Sequence, residues 1–387
     1  MRMKKKLRVL GKTRSLCPKC FQVVDAEIMI KNNKVLMIKR CKKHGVFKGV
    51  HVWNKPFIYR TMQKIAENTS SVIPEGLVLN ITFNCNQHCP FCYMRANENN
   101  FELSMNDIKT RLANFKGGTI YLSGGEPTVH PKLFKILQFL KDEGYRVIIF
   151  SNGKKFDDEF VSKMKGKVGL VILSFDSAKS EKVYEYFCSE KLLDFKLRAI
   201  KNLQKYKIPM YLLVKCSSIN FKEIPELIQF ALNTDFVEFI GFQPIWELGR
   251  LKKHKRFYTS DILKGVTKSL KISQKEFLKN TEKIHHIEHV LHDTNYVSAC
   301  ELKCHLFFDD NEWVPLTKIN LSNFIYLLKS LIQKRMKKVY IGTFPIADNI
   351  DLQFSKTCNL NSDYPHGTEI TPACIRQILM DGKHGRP

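Results

Sequence analysis

The stretch Leu77-Val-Leu-Asn-Ile-Thr-Phe83 runs through Asn84 straight into Cys85-Asn-Gln-His-Cys89-Pro-Phe-Cys92. Its first seven residues are mostly apolar and β-prone, which predicts a strand buried on both faces. Pro90 argues against a helix from Cys85 to Cys92, so the three cysteines sit on a loop at the strand's C-terminal end. Three thiolates at this spacing can each hold one iron of a [4Fe–4S] cube and leave the fourth iron without a protein ligand. Taken alone, three such cysteines could also serve a zinc site or be coincidence.

Strand-like and helix-like segments alternate from Leu77 onward. Strands are expected at Leu77 to Phe83, Thr119 to Ser123, Arg146 to Ser151, Leu170 to Phe175, Met210 to Lys215 and Phe236 to Gln243. Helices are expected around Met105 to Phe115, Pro131 to Glu143, Asp157 to Lys165, Leu192 to Lys205 and Ile224 to Asn233, with Ser104 as an N-cap and Pro131 at a first helical position. Six such repeats with right-handed crossovers predict an α/β fold, a parallel sheet curled into a partial (β/α)6 barrel. A barrel of this kind builds its site at the strand C-termini. Leu122-Ser-Gly-Gly-Glu-Pro127, Ser151-Asn152-Gly153 and Ser174-Phe-Asp176-Ser177 fall there. Gly124 and Gly125 would let the backbone approach a ligand, and Glu126 offers a carboxylate to an amino group. Helix capping is the plain alternative for Ser177.

Cys85xxxCys89xxCys92, with Phe91 before the last cysteine and Gly124-Gly125-Glu126-Pro127 downstream, resembles the signature of the radical S-adenosylmethionine superfamily. The resemblance covers about Leu77 to Arg250 and implies a TIM-like partial barrel in which S-adenosylmethionine chelates the open iron. It implies Phe91 near the adenine, Gly124 to Pro127 at the amino group, and Ser151 and Asn152 near the ribose. Ser174, Gln243 in the Phe239 to Pro244 strand, and Arg250 are further cofactor-binding candidates. An electron from a reductant such as ferredoxin or flavodoxin would cleave the sulfonium and release a 5′-deoxyadenosyl radical, which removes hydrogen from an unactivated carbon.

The flanks differ in texture. The first 56 residues carry 16 Lys or Arg against Asp25 and Glu27, more than half of a net charge of +26 over 387 residues. Cys17-Pro-Lys-Cys20, alternating stretches from Val23 to Ile30 and from Val35 to Ile38 about an Asn32-Asn33 turn, and Cys41-Lys-Lys-His44 describe a metal-stapled β-hairpin. Cys17, Cys20, Cys41 and His44 suit zinc, with a rubredoxin-like iron as the alternative. Of 12 cysteines, Cys188 and Cys216 read as buried, inert thiols, while Cys300, Cys304, Cys358 and Cys374 suffice for one auxiliary [4Fe–4S] cluster. His285, His286, His289 and His292 read as a solvated helix face rather than a metal site. The organisation expected is a basic metal-binding module over 1–60, a catalytic core over 61–250, a basic and His-rich connector over 251–295, and an iron–sulfur region over 296–387 with a helix near Leu321 to Arg335.

Lys12 to Cys20, Cys41xxHis44-Gly45, Gly241 to Arg250 and Ser298-Ala-Cys300 are similar to archaeal tetraether lipid synthases and the pterin methyltransferases close to them. That likeness implies carbon–carbon joining of isoprenoid tails of archaeal membrane lipids, with modification of a pterin, peptide or tRNA base as the alternative. The chain departs from the tetraether synthases in being shorter and poorer in cluster ligands. An apolar content of 44% excludes wholesale disorder. No apolar run reaches the eighteen or more residues of a membrane span. The basic N-terminal module, Lys252 to Arg256 and Lys334 to Lys338 read as one face that would hold the enzyme at an anionic lipid surface. Nucleic acid attracts the same patch, but no recognisable nucleic-acid module accompanies it. The basic start lacks an apolar segment behind it, so the expected location is cytoplasmic and peripheral to the membrane.

Overall fold

The N-terminal segment forms more than the expected hairpin. The computed structural model describes residues 8–68, 75–245, 247–251, 256–291, 300–309, 312–318, 336–343, 349–355, 360–364 and 367–372. Strands β1 (Arg8–Leu16), β2 (Val23–Lys31), β3 (Lys34–Cys41) and β4 (Gly45–Val50) make an antiparallel sheet in sequence order. Asn32 and Asn33 turn between β2 and β3 with φ of 50° and 57°, the left-handed pair that a two-residue hairpin between twisted strands requires. The sequence reading missed β1 and β4. A register shift between Val9 and Gly11 breaks the alternation of β1, and β4 buries none of its residues fully. Ala26, Ile28, Val35 and Met37 of this sheet share one apolar core with Trp53 and with Ile58, Tyr59 and Met62 of helix α1 (Pro56–Glu67).

The expected barrel strands are present as β5 (Gly76–Thr82), β6 (Thr119–Gly124), β7 (Arg146–Ser151), β8 (Leu170–Ser174), β9 (Met210–Cys216) and β10 (Val237–Pro244), each parallel to the next. Between them run α2 (Met105–Leu112), α3 (Leu133–Asp142), α4 (Asp158–Met164), α5 (Glu181–Cys188), α6 (Leu193–Lys205) and α7 (Ile224–Asn233). Ser104 caps α2 in a reciprocal box with Asp107. Pro131 sits in the turn before α3, which starts two residues later than the proline suggested. On the helix side, alternate strand residues such as Leu79, Leu122, Ile149, Leu173, Leu212 and Phe242 pack into the main core. On the opposite face Tyr121, Ile148, Phe150, Ile172, Tyr211, Leu213 and Phe239 form a separate cluster, the inner wall of the barrel.

After β10 come α8 (Thr259–Ser269) and α9 (Gln274–Leu291), then strands the sequence reading did not expect. They are β11 (Glu301–Asp309), β12 (Glu312–Pro315), β13 (Met336–Gly342), β14 (Leu360–Tyr364) and β15 (Gly367–Pro372). β13 pairs parallel with β10, and β11 and β12 follow it antiparallel. β14 pairs parallel with β5 and β15 antiparallel with β14, giving a sheet of order β12-β11-β13-β10-β9-β8-β7-β6-β5-β14-β15. The Thr281 hydroxyl of α9 bonds both the N–H and the carbonyl of Lys303, covering β11 where β12 does not reach.

Two expectations about surface residues need correction. Lys337 and Lys338 do not join a solvated basic face. Lys337 donates to the carbonyls of Thr234 (2.7 Å) and Val237 (2.6 Å), and the Lys338 ammonium lies 4.4 Å from the Phe239 ring centroid on the inner wall. His285 is buried in α9 while its neighbour His286 is exposed, so the histidines do not share one face. The His289 side chain, His292, Lys252 to Lys255 and the expected helix at Leu321 to Arg335 lie outside the described residues.

Candidate active site

Strand β5 delivers the chain into the three-cysteine loop, and three staples shape that loop. Asn97, at φ 69°, accepts from the Cys85 N–H through Oδ1 (2.7 Å) and donates through Nδ2 to the Gln87 carbonyl (3.1 Å). Asn152, just past β7, donates to Asn86 Oδ1 (2.7 Å) and reaches the Cys85 sulfur at 4.0 Å. From beyond β10, the Arg250 N–H donates to the Cys92 carbonyl (3.1 Å) and its guanidinium to the Cys89 carbonyl (3.2 Å). Arg250 therefore touches the loop itself.

The Gly-Gly pair serves loop-to-loop packing. Gly124 has φ 126°, and a Cβ there would lie 2.1 Å from the Thr82 carbonyl oxygen; at Gly125 it would lie 2.3 Å from that of Asn84. Only glycine lets Gly125 and Glu126 donate their N–H groups to Thr82 (2.7 Å) and Asn84 (2.9 Å), which seats this turn against the root of the cysteine loop. Pro127 opens the short 3-10 turn that follows.

Glu126 is 1% exposed and its carboxylate is engaged within the chain. Oε1 accepts from the Thr128 N–H (3.1 Å), the Thr128 hydroxyl (2.7 Å) and the Ser151 hydroxyl (2.9 Å), and Oε2 from the Asn152 N–H (2.7 Å). Burial raises its carboxyl above the usual range, against the pull of these bonds. Glu126 and Ser151 thus tie the ends of β6 and β7 together. Ser174 accepts from Lys215 Nζ (3.1 Å), and Gln243 lies at the C-terminal end of β10 against Gly342. Phe91 packs against Tyr186 and Phe187, with ring centroids 5.0 and 5.4 Å away.

The sequence reading missed Lys215 and Lys196 at this end of the barrel. Lys215 is paired to the fully buried Asp176 at 2.8 Å and lies over the Phe187 ring. Burial alone would lower its ammonium, but Asp176 holds it above the ordinary lysine range. Lys196, 1% exposed, donates to the Asn152 carbonyl (2.6 Å). A lysine near the end of an otherwise apolar strand was the available signal for Lys215. Cys216 is buried and its thiol is pushed up, as expected of an inert core cysteine. Cys188 is buried too, yet it shares an apolar cluster with Cys89, so it neighbours the cysteine loop.

The donor sets fit two different metal groups. Among the described residues, Cys17, Cys20, Cys41 and His44 bring their ligand atoms within 4.8 Å of one another, the closeness that four ligands of one tetrahedral ion need. Cys85, Cys89 and Cys92 do not converge in that way, which suits ligands that each hold a different iron of a cube. Burial pushes the Cys85 thiol up to about 12, so metal loading must displace a held proton. Of the four cysteines read as auxiliary-cluster ligands, Cys304 is fully buried on the helix-facing side of β11, and Cys300 is partly exposed just before that strand. Four residues of extended chain separate their backbones by about 13 Å. Cys358 and Cys374 lie outside the described residues.

Residues 79–231 match the family model described as Radical SAM superfamily. The chain carries a radical SAM domain over that span. Residues 9–53 match the HMPTM N-terminal zinc ribbon domain, which agrees with the four-ligand cluster there. The enzyme is 27% identical over 374 residues to the 7,8-dihydro-6-hydroxymethylpterin dimethyltransferase of Methanocaldococcus jannaschii, covering 84% of this chain and 73% of that protein. It is 30% identical over 160 residues to the Fe-coproporphyrin III synthase of Methanosarcina barkeri, 39% of each chain. Among solved structures it resembles Streptococcus suis SuiB bound to S-adenosylmethionine, with a TM-score of 0.50 and 13% identity over 82% of this chain and 64% of that one. That last likeness speaks to the fold. The chain thus spans less than two thirds of SuiB and of the coproporphyrin synthase. S-adenosylmethionine and a [4Fe–4S] cluster are the cofactors of the superfamily, and Cys85, Cys89 and Cys92 are the residues here that fit the cluster. No helix among the described residues is long and apolar enough to cross a membrane.

Proposed function

We propose that this radical SAM enzyme modifies a small heteroaromatic compound of the pterin class at carbon. The inner wall of the barrel carries the reading. Tyr211 and Phe239 stack with centroids 5.5 Å apart, and Tyr340 meets Phe239 edge-on at 5.7 Å. Polar groups interleave with these rings: His305 Nε2 lies 3.2 Å from the Tyr340 hydroxyl, and Lys303 pairs with Glu288 at 2.7 Å. Planar rings stack on such a surface while their edge atoms find hydrogen-bond partners. An alkyl tail would satisfy none of the polar groups, which counts against the lipid-joining alternative, and the comparisons lend that alternative no support. The likeness to a pterin dimethyltransferase over most of both chains supports the same class.

The cluster and S-adenosylmethionine, when bound, supply the radical chemistry that removes hydrogen from an unactivated carbon. The chain's own residues hold the site. Asn97, Asn152 and Arg250 fix the thiol-bearing loop, while Lys215 offers a cation at the barrel mouth that Asp176 keeps charged. The test is anaerobic incubation of reconstituted enzyme with S-adenosylmethionine and reductant, adding 6-hydroxymethyl-7,8-dihydropterin in one arm and archaeal phospholipid in the other. Mass gain on the pterin with added 5′-deoxyadenosine is expected. Deoxyadenosine that rises with lipid and ignores the pterin would overturn the reading.

A further inference from the structure

The segment that leaves β10 returns to the cysteine loop, where Gly249 and Arg250 meet backbone atoms and one loop carboxylate. Gly249 has φ 64°, and a Cβ on it would sit 2.3 Å from the Cys92 carbonyl oxygen and 2.5 Å from Tyr93 Cα. Only glycine brings the next residue this close. The Arg250 N–H then donates to the Cys92 carbonyl (3.1 Å), Nη1 to the Cys89 carbonyl (3.2 Å) and Nη2 to the Ala96 carbonyl, while Nε pairs with Glu98 at 3.1 Å. Its side chain is 13% exposed. One residue thus ties four points of a loop that has no regular secondary structure of its own from Cys85 to Glu98.

We propose that Arg250 is a positioning residue: it holds the cysteine loop in its ligating shape from across the barrel mouth, so that cluster retention depends on the chain after the sixth barrel strand. It rests on the reading of Cys85, Cys89 and Cys92 as cluster ligands. The planar guanidinium is what the geometry needs, because two carbonyls and a carboxylate lie in three directions that a lysine ammonium on a flexible stem does not span together.

The experiment uses the whole chain, reconstituted with iron and sulfide under anaerobic conditions. Wild type, Arg250→Gln, Arg250→Lys and Glu98→Gln are compared for iron and zinc per chain, the electron-paramagnetic signal of the reduced cluster, and the rate of iron loss to a chelator. Losing charge-assisted bonds to the loop should speed iron loss about tenfold or more in Arg250→Gln. Arg250→Lys should fall between it and wild type, and Glu98→Gln, a change at a more exposed residue, should give about a threefold effect. Zinc content and far-ultraviolet circular dichroism should stay at wild-type values. Iron loss at the wild-type rate in Arg250→Gln overturns the proposal, and so does simultaneous loss of iron, zinc and helical signal, which marks a general folding role. If Arg250→Gln is insoluble, Glu98→Gln decides alone, and an unchanged rate in it overturns the proposal. Failure of the underlying reading is seen separately, as wild type and Cys89→Ala taking up the same iron.

Discussion

Glu126→Ala removes an acceptor shared by four donors in a site 1% exposed. The hydroxyls of Thr128 and Ser151 can rotate toward other acceptors. The N–H groups of Thr128 and Asn152 cannot, because the backbone fixes them. A buried donor left unpaired costs about 1–3 kcal/mol, so two of them predict a loss of about 2–6 kcal/mol, a large share of the ~5–15 kcal/mol that holds a typical domain folded. Glu126→Gln keeps Oε1 with its three donors and turns an amide N–H toward that of Asn152, so about half the loss is expected. Ser151→Ala removes one donor, leaves the carboxylate three and unpairs the Gly153 N–H that Ser151 accepts (3.0 Å), for about 1–3 kcal/mol. Urea unfolding read by circular dichroism, with the slope checked for constancy, measures all three. The cluster loop should loosen along with stability, because Asn152 both donates to Glu126 and holds Asn86. A Glu126→Ala protein within about 0.5 kcal/mol of wild type, or one more stable than Glu126→Gln, would refute the reasoning.

Cys41→Ser should abolish zinc retention in the N-terminal sheet while leaving iron uptake by Cys85, Cys89 and Cys92 unchanged; elemental analysis showing zinc at wild-type level would contradict the ligand set. Asp351→Ala removes the acceptor of the Thr13 hydroxyl (2.6 Å) and the partner of His51 (3.5 Å), both deep in the fold. The loss expected is that of the Thr13 hydrogen bond and the buried His51 contact, about 1–3 kcal/mol. Burial lowers the Lys337 ammonium to about 8. The unfolded chain therefore binds more protons than the native one between that value and the ordinary 10.5, so stability should rise with pH across this window, and Lys337→Met should flatten the rise; a slope unchanged in the variant would sink the assignment.

Local signals carried most of the barrel. The six strands were legible because each is a short apolar run between helix-period segments, and Met210 to Lys215 came out one residue shorter than the observed strand. The C-terminal strands were not legible. β11 reads Glu301-Leu-Lys-Cys-His-Leu, alternating in a way that a two-sided strand explains only once its odd positions are known to face the polar inner wall. The same limit applied at the site. Gly124, Gly125 and Glu126 were visible as a motif, but their spacing cannot show that the glycines admit another loop or that the carboxylate is already hydrogen-bonded within the chain. Arg250 was visible as a residue, while its partners lie more than 150 positions away in the chain.

The basic N-terminal sheet is built into the enzyme, and the grounds lie in its polar contacts as much as in the shared core. Thr13 bonds Asp351 and Ser15 bonds the Ile350 carbonyl (2.6 Å), so β1 is fastened to the segment between β13 and β14. Asn54 bonds Ser260 (2.9 Å) and Thr259 bonds the Val52 carbonyl, which fastens the exit of the sheet to α8. Inside the sheet Lys39 is fully buried and donates to Ser15 Oγ (3.1 Å) and the Leu16 carbonyl (3.0 Å), one residue before the first metal ligand Cys17. A buried ammonium persists only where acceptors surround it, so this lysine spends its charge on structure. The positive charge left to meet an anionic partner is that of exposed residues such as Lys12, Arg14 and Lys48, carried on strands β1 and β4. A sheet fastened at both ends cannot swing as a tether. Any surface it binds is therefore presented to the barrel at one fixed angle.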